Sequence, residues 1–208
     1  MLPPLELPLL QNWSCHGCGG CCRHHDIEVT AEEKKRIEDQ HWTPADGIPA
    51  GQSIFARIGK LFGRNRYRLA HQPDGGCVFL DERGLCRIHA KFGEPAKPLA
   101  CRLYPFALHP AGNKIVVSLR YSCPSVVKNQ GKPVSEQRSD LRELERLIVP
   151  ENLPTVPPPA IAGSQKLDWP DTLRVVHQLE QILALPQKPV VVRLLQLLET
   201  VSYTHLTL

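Results

Sequence analysis

Eight cysteines are the residues in this 208-residue chain whose type and spacing point to chemistry: Cys15, Cys18, Cys21, Cys22, Cys77, Cys86, Cys101 and Cys123. The first four are set as Cys15-x2-Cys18-x2-Cys21-Cys22. A Cys-x2-Cys step lets two thiolates converge on one centre, and three such thiolates with a distant fourth grip a cubane iron–sulfur cluster. Tetrahedral zinc uses similar spacing. Gly17, Gly19 and Gly20 give the loop the unusual dihedrals that either site requires. Cys21 and Cys22 add a constraint. On an extended backbone their side chains diverge, so the pair is expected to serve two centres, or to supply one ligand and one free thiol. Eight thiols match two four-ligand centres; one centre with spare ligands is the other count. Taken singly, each cysteine could be a small buried hydrophobe. The spacing of the first four argues for ligands instead.

The residues around the thiols fill supporting roles. His89, in Cys86-Arg-Ile-His89, is an alternative nitrogen ligand. His16, His24 and His25 flank the first cluster and are expected to support ligands instead of serving as them. Arg23 and Arg102 each adjoin a cysteine. They either offset the negative charge of a thiolate site or grip an anionic substrate.

Composition narrows the setting. The formal charge is +4, and the basic residues read as spread along the chain, so neither nucleic acid nor a membrane is an expected partner. No apolar run approaches the roughly 18 residues of a membrane span. The first ten residues are apolar but broken by prolines, with no basic n-region among them and no small-residue cleavage site after them. The expected location is therefore the cytoplasm, where thiols stay reduced and serve as ligands instead of pairing as disulfides.

The elements that must position the thiols read as an α+β fold: a small antiparallel sheet with short helices around a cysteine-rich metal site, plus a C-terminal helical hairpin. Residues 13–26 read as a loop without helical period. Thr30 caps a short helix through Glu38 whose acidic first turn suits the helix dipole. Residues 43–65 read as loop, with at most a helical turn over 54–61. Tyr67–Leu69 is an edge strand. Val78–Leu80 and Leu85–Ile88 read as a hairpin around Asp81-Glu-Arg-Gly84. Leu103–His109 and Lys114–Tyr121 form a second hairpin around Pro110-Ala-Gly-Asn113, driven by the β-prone run Ile115-Val-Val. Strand ends are thus expected to present Cys77, Cys86, Cys101 and Cys123.

Ser135–Ile148 reads as a helix with Leu141, Leu144, Leu147 and Ile148 on one face. The implied organisation is a cysteine-cluster domain over 13–149, then a Pro-rich linker over 150–170. A helical hairpin follows over 171–200, its helices Asp171–Leu185 and Pro189–Thr200, and the tail of 201–208 continues no pattern and reads as disordered or artefactual.

These blocks together resemble the YkgJ-type CxxCxxCC cysteine-cluster family of zinc- or iron-chelating proteins, which includes the flagellin lysine N-methylases. The resemblance rests on Trp13-Ser-Cys-His-Gly-Cys-Gly-Gly-Cys-Cys22, Cys77-Val-Phe-Leu-Asp81, Gly84-Leu-Cys-Arg-Ile-His89, Pro98-Leu-Ala-Cys-Arg-Leu-Tyr-Pro-Phe106 and Cys123-Pro124. It implies an iron–sulfur cluster of the [4Fe–4S] type, or zinc, held by the eight cysteines. For the methylases it further implies methyl transfer from S-adenosylmethionine to lysine side chains of a flagellin-like protein substrate. Arg102, Tyr104 and Arg120 are then the candidates to orient that cofactor. There is no G-x-G-x-x-G nucleotide loop, and a shared module does not fix a function. A non-enzymatic metal module that staples its own loops, or one that stores or delivers metal, is the alternative.

Overall fold

The structure, a computed structural model, describes residues 2–152, 156–162 and 164–206. In chain order the strands and helices are β1 (Leu5–Glu6), β2 (Asn12–Trp13), α1 (Gly20–His24), β3 (Glu28–Val29), α2 (Ala31–Glu38), β4 (Phe55–Leu61), β5 (Arg64–Leu69), α3 (Arg87–Phe92) and α4 (Leu99–Leu103). They continue as β6 (Phe106–Ala111), β7 (Lys114–Leu119), α5 (Pro124–Val127), β8 (Lys132–Pro133), α6 (Arg138–Ile148), β9 (Ala160–Ala162), β10 (Gln165–Lys166), α7 (Trp169–Leu183) and α8 (Val190–Leu206). The fold is α+β, as expected, and it uses several small sheets instead of one.

The chain divides into two compact units. One comprises Ser14–Pro105 with Arg120–Gln130 and contains every cysteine. Its sheet is antiparallel in the order β3-β5-β4. Its core gathers Val29, Ile37, Ile48, Leu69, Val78, Phe79, Leu80 and Ile88 around the buried Cys77. The other unit comprises the N-terminal segment through Trp13, Phe106–Leu119 and the chain from Gly131 onward. There β1 runs parallel to β7, and β7 pairs antiparallel with β6. Leu5, Phe106, Ile115, Val117, Leu119, Leu141 and Leu144 are buried.

The start of α2 follows from local chemistry. Thr30 Oγ1 accepts from the Glu33 N–H at 3.1 Å, and Glu33 Oε2 accepts from the Thr30 N–H at 2.9 Å, a reciprocal capping box. The second carboxylate oxygen of Glu33 accepts from the Leu99 N–H at 2.7 Å. One buried side chain therefore ties α2 to the first turn of α4, which carries Cys101. Glu33→Ala strands two backbone donors, and hydrogen bonds to a charged group contribute about 1.5–3 kcal/mol each. The variant is expected to lose about 3 kcal/mol in urea unfolding and to bind metal more weakly, as titration against a chromophoric chelator would read.

Several expectations are corrected. Residues 55–61 form strand β4, because every position but Ile58 pairs with β5 even where it holds Arg, Lys or Gly, and an irregularity between Arg57 and Gly59 breaks the alternation. The hairpin expected over 78–88 is a single bridge, Leu80 to Cys86, after which the chain coils into α3. Ile88 and Phe92 stand one turn apart there; Ile88 is buried, and the Phe92 ring meets Trp42 edge-on at 5.7 Å. Leu103 belongs to α4, so the second hairpin spans only 106–111 and 114–119. Residues 20–24 coil into α1 inside the expected loop.

Within 150–170, β9 and β10 pair, while 153–155 and 163 lie outside the described residues. Helix α8 runs on to Leu206 through the tail read as patternless, and 207–208 lie outside the described residues. Asp168 caps α7 by accepting from the Asp171 N–H at 2.9 Å. No described helix is long and apolar enough to cross a membrane.

Candidate metal centre

The backbone fixes six of the thiols from five segments. Gly19, at φ 68°, turns the chain into α1, where Cys21 and Cys22 are adjacent. Their sulfurs lie 3.8 Å apart. The expected divergence does not occur, because the pair sits on a helical turn instead of an extended strand. Cys77 joins this turn directly: its N–H donates to the Cys22 carbonyl at 2.8 Å. Cys86 stands at the start of α3, Cys123 at the start of α5, and Cys101 within α4. Helix starts, more than strand ends, present the distal thiols.

The electrostatics group the sulfurs. Cys22 feels the charges of Cys21, Cys77 and Cys86, and Cys101 feels those of Cys77, Cys86 and Cys21. Five thiols from four segments thus share one region. Cys18, Cys21 and Cys123 act together on Tyr104. Cys15 and Cys18 are exposed, and Cys77 and Cys123 are buried. Among the described residues no three His, Cys, Asp or Glu side chains are already arranged to hold a metal ion. The donor set is nonetheless one of soft thiols, which suits zinc and iron–sulfur centres.

The hydrogen bond between the Cys21 and Cys22 sulfurs lowers the Cys21 pKa to about 6 against the opposing effect of burial, with the Lys97 charge assisting. The same hydrogen bond, burial and the neighbouring sulfurs drive Cys22 upward. Burial first, then charged neighbours, push Cys77 up to about 11 and Cys101 to about 12. In metal-free protein, Cys21 is expected to be alkylated by iodoacetamide ahead of Cys77 and Cys101, at a rate rising through pH 6, as peptide mapping would locate. Being depressed, the Cys21 pKa contributes stability that is full above pH 9 and lost as pH falls through about 6.

The flanking residues sort themselves by contact. His16 Nδ1 lies 2.6 Å from Ser125 Oγ, and the His25 ring packs on Tyr104 at 4.8 Å. His89 is exposed on α3. Arg23 pairs with Asp74 at 2.8 Å. Arg102 Nε donates to both oxygens of Glu94, at 2.9 and 3.1 Å, with its side chain 10% exposed. Tyr104 Oη lies 3.2 Å from Ser122 Oγ, and burial raises its pKa. Arg120 is exposed, and its guanidinium has no hydrogen-bond or ion-pair partner among the described residues. Lys97 acts on two thiols, a role that no motif marks; its place four residues before Cys101 is the only signal of it in the sequence.

A unit that draws soft thiols from the start of one helix, a buried loop and two further helices is a thiolate metal-binding domain. Residues 14–124 match the CxxCxxCC family, described as a "Putative zinc- or iron-chelating domain", and the chain belongs to that family. The match spans all eight cysteines. The chain is also similar to "Flagellar biosynthetic protein FliU" of Salmonella muenchen, at 38% identity over 52 residues. That stretch is 25% of this chain and 31% of the flagellar protein, so the similarity spans about a third of that relative. No solved structure matches.

Proposed function

We propose that the gathered thiolates hold an iron–sulfur cluster and that the protein transfers methyl groups from S-adenosylmethionine to lysine side chains of a flagellin-like protein. The observation that supports this reading is the gathering of Cys21, Cys22, Cys77, Cys86 and Cys101, enough soft thiols for the cysteine ligands of a cluster. The family's inclusion of flagellin lysine methylases and the likeness to a flagellar biosynthetic protein point the same way. A cluster held by these thiolates would supply iron as an anchor for an amino and a carboxylate group. The chain's part is then positional. Arg120 offers an unpaired guanidinium to a carboxylate, whereas Arg102 is held by Glu94. In the transfer a lysine amine, its proton lost to solvent, attacks the methyl carbon. The carbon–nitrogen bond forms as the carbon–sulfur bond breaks, and the electron pair returns to sulfur as a neutral thioether.

Anaerobic purification with iron, sulfide and zinc analysis tests the cluster. Brown protein absorbing broadly at about 400 nm with equivalent iron and sulfide is expected. Calorimetry against S-adenosylmethionine tests the cofactor. Absence of heat from cluster-loaded protein counts against methyl transfer. A second reading, a zinc module that staples its own loops, is favoured by one distance: thiolates on one zinc at 2.3 Å stand about 3.8 Å apart, and the Cys21–Cys22 sulfurs are 3.8 Å apart. Colourless protein with stoichiometric zinc would establish it.

A further inference from the structure

The β4–β5 hairpin carries features that the cysteine site does not use. Residues 55–69 hold five cations, Arg57, Lys60, Arg64, Arg66 and Arg68, and no acidic residue. Arg66 is paired with Glu28 and Arg68 with Asp26. Arg57, Lys60 and Arg64 have no hydrogen-bond or ion-pair partner among the described residues, although Glu32 feels the Arg64 charge. Interleaving with apolar residues made this concentration read as a spread in the sequence.

The apex is apolar. Phe62 is 96% exposed, Leu61 52% and Ile58 42%. Leu61 and Arg64 face each other across a two-residue turn made by Phe62 at φ 47° and Gly63 at φ 77°. Such a turn wants Asn or Gly at both positions, because a side chain in the left-handed region meets its own backbone. Phenylalanine there works against the turn, and its ring, nearly all in solvent, returns no packing. The fold gives no reason for this residue; a partner does.

The order of groups along the hairpin identifies that partner. Leu61 and Phe62 lead, Lys60 and Arg64 follow at once, and Arg57 and Arg66 lie farther back, within about 13 Å of the apex at strand rise. Aliphatic and aromatic groups at the tip, with a cationic collar behind them, fit a hairpin entering an anionic bilayer end-on. Apolar groups seat about 5–10 Å into the headgroup boundary while basic groups meet phosphates. A single-stranded nucleic acid would ask for aromatic platforms spaced along one face, with cations beside them; here the one fully exposed ring is apical, and its neighbours Leu61 and Ile58 have no face for a base to stack on. We infer that the β4–β5 hairpin is a reversible anchor for anionic membrane surfaces.

Sedimentation of the full chain with phosphatidylcholine vesicles, with and without phosphatidylglycerol, tests this. Binding is expected only to the anionic vesicles and should fall as salt rises. Phe62→Asn should weaken it about tenfold or more, while its melting temperature holds or rises, because Asn accepts the left-handed turn. Lys60→Gln and Arg64→Gln should each weaken it about fivefold. Equal binding to neutral vesicles, unchanged binding by Phe62→Asn, or displacement from anionic vesicles by a single-stranded oligonucleotide in preference to soluble phosphate would each overturn the inference.

Discussion

Cys77→Ser is expected to lose metal and most of the difference in melting temperature between metal-loaded and metal-free protein. Cys77 is 7% exposed and packed among the core residues of the cysteine unit, with its N–H on the Cys22 carbonyl. Serine keeps the size but removes the soft donor, and a hydroxyl competes poorly for zinc or iron–sulfur iron. The substitution also leaves a buried hydroxyl short of a partner, at about 1–3 kcal/mol. The larger effect comes through linkage. A metal that binds only the folded chain stabilises it in proportion to its affinity, and structural zinc sites reach about 10 kcal/mol.

The control is Cys15→Ser. Cys15 is exposed, so this variant is expected to keep the wild-type metal-free melting temperature. Metal analysis and thermal unfolding with and without chelator separate the two. If Cys77→Ser retains full metal and its stabilisation, Cys77 is not a ligand.

Proton release gives the same experiment a second readout. Burial and nearby sulfurs hold Cys77 up to about 11, so in metal-free protein at neutral pH its thiol is protonated. Metal binding must displace that proton. A raised pKa also means that the stability it contributes is full below pH 9 and lost as pH rises through about 11. Metal-free protein should therefore weaken toward alkaline pH. Wild type should release more protons on metal uptake than Cys77→Ser does, as titration in weak buffer would measure.

What the sequence disclosed and what it hid follow from the range of the forces involved. The Thr30 cap, the acidic first turn of α2 and the β-branched run of β7 are local, and they read correctly from neighbours. The second oxygen of Glu33 bonds a donor 66 positions away, which no local pattern encodes. Strand β4 is not legible in the sequence because its positions carry Arg, Lys and Gly where alternation of apolar residues would announce it. The thiols were visible as a motif, but their grouping was not. Cys21 and Cys22 would diverge on an extended backbone; a helical turn begun at a left-handed glycine brings their sulfurs to 3.8 Å. The influence of Lys97 on Cys21 and Cys101 depends on where α4 lies, which folding decides.

Gly84→Ala is expected to separate the two cysteine-bearing segments it joins. Gly84 has φ 81° and sits in the turn that Asp81 organises by accepting from the Arg83 and Leu85 N–H groups at 3.0 and 2.8 Å. Those backbone donors, Leu85 first, hold the Asp81 carboxyl below its ordinary range. A Cβ on Gly84 would lie 2.2 Å from the Gly17 carbonyl oxygen, within the Cys15–Cys18 loop. Backbone faces backbone there, so no side chain can swing aside. The left-handed dihedral alone costs about 1–3 kcal/mol for a residue with a side chain. The contact adds to that, and the turn can relieve it only by withdrawing from the loop. Loss of about 3 kcal/mol in urea unfolding is expected, together with reduced metal loading, since Cys86 follows two residues later. Gly63→Ala is the matched comparison: it too has a positive φ, 77°, yet nothing lies within 4 Å of its added Cβ. Equal destabilisation of the two variants, with metal retained in both, would mean that dihedral strain alone acts and that the close approach of Gly84 to Gly17 does not organise the centre.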